Sequence, residues 1–144
     1  MLGPIGSSTQ ALRALETAVA ERDAAAMWTV VPAVEDCCEA VPMLAEQLLV
    51  DWHESHEDIV FTLGVIGDPR AVEAISKAIL IHFESLVKWN NLREFQRKCA
   101  YALARIGTEA SRAALVVLTE HPDVQLQEYA NEGLEHWRSR IDTP

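Results

Sequence analysis

Apolar residues recur along this chain at intervals of three and four, the period of a helix with one face turned to a core, and no segment alternates convincingly as a strand would. Leu12, Leu15 and Val19 make the first stripe. Ser7-x-x-Gln10 has the spacing of a capping box, so the first helix is expected to open near Ser7 or Ser8. Asp23 is placed to cap a second helix carrying Met27, Trp28 and Val31, and Pro32, which lacks a backbone donor, predicts a kink or a restart there. Pro42 suits the first residue of a further helix with Leu44, Leu48 and Leu49. Ser55-His56-Glu57-Asp58 resembles a capping box ahead of the stripe Ile59, Val60, Leu63 and Ile66, which Gly67 ends in a left-handed conformation. Asp68-Pro69 then starts a helix with Val72, Ala74, Ile75, Ile79 and Leu80 as core candidates.

Trp89-Asn90-Asn91 interrupts the pattern, which resumes with Phe95, Cys99, Ala102, Leu103 and Ile106 and stops at Gly107. Thr108 is expected to cap the next helix (Ala114, Leu115, Leu118), and Pro122-Asp123 the last one (Leu126, Tyr129, Ala130, Leu134, Trp137). Two of these units repeat. Leu63, Ile66, Gly67 and the capping Asp68 fall on Leu103, Ile106, Gly107 and Thr108 at an offset of 40, and Ala74-Ile75 falls on Ala114-Leu115. A weaker echo sets Tyr129-Ala130 and Leu134 against Tyr101-Ala102 and Ile106. A period near 40 built from helix pairs predicts stacked units, because one pair buries only part of its apolar surface and needs a neighbour for the rest.

Ile66-Gly67-Asp68-Pro69-Arg70-Ala71-Val72-Glu73-Ala74-Ile75 resembles the turn and second helix of a HEAT repeat, in the short bacterial form also seen in phycobilisome-lyase-type proteins. Ala102-Leu103-Ala104-Arg105-Ile106-Gly107 resembles the end of the first helix of that unit. The resemblance covers residues 52–137; residues 1–50 depart from it as degenerate N-terminal helices. It implies an all-α fold over 1–144, a short right-handed α-solenoid of about seven helices in one domain. It also implies an interaction module, and some small bacterial proteins of this kind resemble immunity proteins that neutralise a toxin encoded beside them.

Length and composition agree with one globular domain: 144 residues, 49% hydrophobic, with six Gly and six Pro. The N-terminus lacks the basic and apolar regions of a secretory signal, and the longest nearly apolar run, Ala24 to Val34, falls short of the about 20 residues a membrane span needs. Cys37, Cys38 and Cys99 are odd in number with no CxxC, and read as reduced core or near-core thiols of a cytoplasmic protein.

Charge changes the picture most. The first 60 residues hold eleven acids and two bases, a balance of 2 − 11 = −9; residues 61–144 hold eleven acids and ten bases, a balance of −1. An acidic chain is poorly suited to nucleic acid, whose binding relies on Lys and Arg. Segregated charge suggests a field aimed at a basic partner, against the alternative of a solvated acidic surface serving solubility.

Candidate chemistry is sparse. His53 and His56 have carboxylates nearby, but a zinc site needs a third ligand, which is not evident; the alternatives are an exposed polar cap and a recognition patch with Trp52. No GxSxG, no glycine-rich phosphate loop and no suitably spaced carboxylate pair occurs, so an enzyme has little to stand on, and no cofactor is expected. Trp28 and Trp137 read as core. Trp52 and Trp89 fall between helices among polar neighbours, as interface anchors or as loop residues folded back over the core. The expected partner-binding set is therefore Glu35, Asp36, Asp51, Trp52, His53, Glu54, His56, Glu57, Asp58 and Trp89. The expected function is a non-enzymatic binding module: an immunity protein covering a basic, nuclease-like toxin, a scaffold or assembly subunit, or a lyase-like chromophore-attachment protein.

Overall fold

The computed structural model describes residues 4–139. Among these residues the chain forms nine α-helices and no strand: α1 (Pro4–Ala20), α2 (Ala24–Ala33), α3 (Val41–Gln47), α4 (His56–Ile66), α5 (Val72–Ala78), α6 (Glu84–Lys88), α7 (Leu92–Ile106), α8 (Glu109–Leu118) and α9 (Val124–His136). Short 3-10 turns at Cys38–Ala40 and Pro69–Ala71 lead into α3 and α5. The count exceeds the expected seven, in part through α6, five residues long, whose apolar content is too small to print a periodic stripe.

Local signals set most boundaries. Asp23 accepts a hydrogen bond from the Ala26 amide, Asp68 from Arg70 and Asp123 from Gln125, each satisfying a donor with no partner inside its helix. Thr108 and Ser111 cap α8 reciprocally. Gly67 and Gly107 end α4 and α7 at φ 72° and 68°, a region that glycine enters without steric cost. Three expectations change. α1 opens at Pro4, ahead of Ser7, because proline fits a first turn whose amides are unbonded anyway. Pro32 lies in the last turn of α2, which simply ends at Ala33. Leu80 is half exposed because α5 stops at Ala78 and the projected helical face stops with it.

α7 is the centre of the molecule. It packs against α4 on one side and α9 on the other, with α5 and α8 beneath it. α1 rests on α2 and α2 on α4, while α3 touches both α4 and α5. Phe95, Cys99, Ala100, Leu103 and Ile106 of α7 are buried with Ile59, Val60 and Leu63 of α4, Ile75 and Ile79 of the α5 region, and Leu115 of α8. The acid-rich first 60 residues thus occupy α1, α2, α3 and the start of α4, at the end of the molecule away from α8 and α9. Among the described residues no helix is long and apolar enough to cross a membrane.

The α9 contact is tight at Gly133, where a Cβ would lie 2.9 Å from Leu115 Cδ2 and 3.1 Å from the Ala100 carbonyl oxygen. Gly133→Ala therefore gains helix propensity but overpacks against backbone, and we expect a net loss of about 1–2 kcal/mol, read as a lower urea midpoint at unchanged m.

Candidate functional site

The segment between α3 and α4 folds inward around two imidazoles. His53 Nδ1 accepts from the Ser55 amide at 3.0 Å, so its Nε2 carries the hydrogen that it donates to the Gln47 carbonyl at 2.8 Å. His56 Nε2 donates to the Val50 carbonyl at 2.6 Å. The Trp52 indole N–H donates to Gln47 Oε1 at 2.8 Å. The rings continue the core: His53 and His56 lie 4.5 Å apart between centroids, and His56 stacks on Phe83 at 3.9 Å with the edge of Phe95 beyond. Both histidines are buried, which corrects their expected place on an exposed cap or recognition patch. Ser55 precedes α4 as expected, yet its hydroxyl makes no capping bond; the imidazoles, not a capping box, tie down this helix start. Burial pushes both imidazoles below the ordinary range, His56 to about 4, against the opposing pull of the Val50 carbonyl and Asp51.

This frame sets Glu54, Glu57 and Asp58 along one wall of a cleft. Trp28 of α2 and Trp89, just past α6, form its aromatic sides, and the cavity measures about 170 Å³. Asn90 follows in a left-handed conformation, φ 59°, that reverses the chain into α7, a conformation asparagine tolerates better than most residues. Trp28 and Trp89 are 54% and 61% exposed, well beyond what large apolar rings usually leave to water. Glu57 Oε2 accepts from Lys98 Nζ at 2.7 Å, while its Oε1 is buried with no hydrogen-bond partner among the described residues. Partial burial raises the Asp58 carboxyl, Lys98 opposes, and Glu57 adds to the rise. Carboxylates lining one cavity with two exposed aromatic rings suit a guanidinium or ammonium group, which donates hydrogen bonds to the acids and makes an electrostatic contact with the rings.

Four expected partner residues, Glu54, Glu57, Asp58 and Trp89, therefore meet in one place. The others do not. Glu35 and Asp36 are exposed on the turn after α2. Asp51 is exposed beside a separate hollow with Val50 and Phe83. Trp52 is half buried against the core with its N–H engaged. Trp28, read as core, was the residue missed. Met27 and Val31 sit four apart on the buried face of α2, and Trp28 is rotated about 100° from Met27 by the helix geometry, which points it outward.

The electrostatic layout sharpens the contrast between the two ends. Asp68, Glu73, Asp123 and Glu132 each pair with a nearby Arg or Lys, whereas of the eleven acids in residues 1–60 only Glu57 forms an ion pair among the described residues. Cys37 and Cys99 are buried and Cys38 is exposed, so the cysteines are not all core or near-core thiols. Comparison with protein-family models, with curated proteins and with solved structures gives no match.

The buried imidazoles make stability depend on pH. His56 holds a pKa of about 4 in the fold against an ordinary 6.5 in the unfolded chain, so the unfolded state binds more protons between these values. Its contribution is complete above pH 6.5, falls as the pH drops through the window and is lost below 4, a change of about 3 kcal/mol. Urea unfolding of the native chain and of His56→Phe at several pH values should show a steeper acid loss for the native chain; parallel curves would contradict the assignment.

Proposed function

We propose that this chain is a non-enzymatic protein-binding module whose acidic end covers a basic protein. The observation that carries the reading is the cleft lined by Trp28, Trp89, Glu54, Glu57 and Asp58 at the end of the molecule where, of the eleven acids in residues 1–60, only Glu57 forms an ion pair among the described residues. A field of that sign speeds encounter with a cationic surface and disfavours acidic competitors. Exposed tryptophans supply what the field lacks, an anchor that loses little conformational entropy on binding.

In its most specific form the proposal is an immunity protein. The helices are then read as a short right-handed HEAT-like α-solenoid, and the acidic end blocks the cationic active-site cleft of a nuclease-like toxin by occlusion. Arginine or lysine side chains that would hold a phosphate backbone enter the cleft instead and meet carboxylates. His53 and His56 act from inside, by holding the wall in place, and touch no partner.

The test is co-expression with the products of neighbouring genes, followed by pull-down and growth rescue. Trp28→Ala and Trp89→Ala should each weaken the complex by about 2 kcal/mol, roughly 30-fold, without altering the fold. Glu54→Gln with Asp58→Asn should slow association and flatten its salt dependence. Binding without rescue of growth would select the scaffold reading, and a complex indifferent to all four changes would remove the cleft from the interface.

A further inference from the structure

The opposite kind of surface lies next to this cleft, and the partner reading does not use it. Glu94, Arg97, Lys98, Tyr101, Ala102 and Arg105 recur at helical intervals along one face of α7, and Phe61 and Gly64 of α4 face them across a groove of about 300 Å³. That volume is at the lower end of the range of small-molecule pockets. The floor is apolar because the helices nearly touch: a Cβ on Gly64 would lie 3.1 Å from Ala102 Cβ and 3.2 Å from its Cα. Phe61 is 54% exposed, a third large ring left to water with no chain covering it among the described residues.

The groove is richer in cations than the molecule at large: its lining carries Arg97, Lys98 and Arg105 against Glu94, in a chain of net charge −10, and the carboxylates that pair with two of these cations lie just outside the lining. Two of the cations are engaged, Arg97 with Glu132 at 3.0 Å and Lys98 with Glu57 at 2.7 Å. The Tyr101 hydroxyl also donates to Glu132, at 3.0 Å. Arg105 is exposed and forms no ion pair or hydrogen bond among the described residues. Glu94 is eleven residues away on the same helix, about 16 Å at 1.5 Å per residue, too far to oppose an anion at Arg105 strongly in salt solution.

We infer that the α4–α7 groove binds a small amphipathic anion, an aryl or alkyl carboxylate or sulfonate, with its apolar body on the Gly64–Ala102 floor between Phe61 and Tyr101 and its charged group on Arg105. The apolar lining supplies affinity through area removed from water, and the unengaged guanidinium supplies orientation and the preference for an anion. The bulk charge of the chain repels anions elsewhere, which favours a single site.

The probes are 8-anilinonaphthalene-1-sulfonate and its neutral counterpart N-phenyl-1-naphthylamine, titrated by fluorescence into the full chain, with amide shifts of Gly64 and Ala102 followed by NMR. Arg105→Glu should weaken the anionic probe about tenfold or more and leave the neutral probe within about twofold. Phe61→Ser should weaken both, and circular dichroism should show both variants folded. Loss of the Trp28→Ala or Trp89→Ala complex leaves this result untouched, since those rings do not line the groove. An anionic probe that binds Arg105→Glu as well as the native chain, fails to bind the native chain, or shifts amides away from α4 and α7 overturns the assignment.

Discussion

The stack of His56 on Phe83 is the contact on which the cleft depends. Phe83 immediately precedes α6 and His56 is the first residue of α4, so one ring contact fixes two helix starts relative to each other. Glu57 and Asp58 follow His56 directly, and Trp89 follows α6 by one residue. The imidazole can do this only while neutral, because it is buried among rings and its Nε2–H is committed to the Val50 carbonyl. A phenylalanine would stack equally well but leave that carbonyl without its donor, which is a physical reason for histidine at this position.

Much of the fold was legible because it is written locally. Aspartate caps at 23, 68 and 123, the Thr108 box and the two left-handed glycines each depend on neighbours within a few residues, so spacing alone reveals them. The recurrence of Ile66-Gly67 at Ile106-Gly107 correctly placed equivalent ends of α4 and α7, which pack side by side. The inward turn of His53 and His56 was not legible, since polar residues in a polar stretch give no sign that carbonyls six residues back and the distant ring of Phe83 will receive them. The misreading of Trp28 is of another kind. It follows from treating any tryptophan at helical spacing as core, when its angle to Met27 already pointed away.

The candidate site was half legible. Charge counting found the acidic segment, and Glu54, Glu57, Asp58 and Trp89 do converge. What no count could reveal is that Lys98, forty-one residues on, reaches Glu57 and stands between the cleft and the groove. The same ion pair belongs to both walls. Acidic and cationic surfaces therefore meet along one ridge of α4 and α7, a juxtaposition that only the packing of these helices creates.

The uneven pairing of acids has a consequence for the molecule as a body. With most uncompensated carboxylates on α1 to α3 and the start of α4, the chain is a macroscopic electric dipole as well as a polyanion. On a positively charged support it will settle with that end down, leaving α8 and α9 outermost, so adsorbed molecules share one orientation.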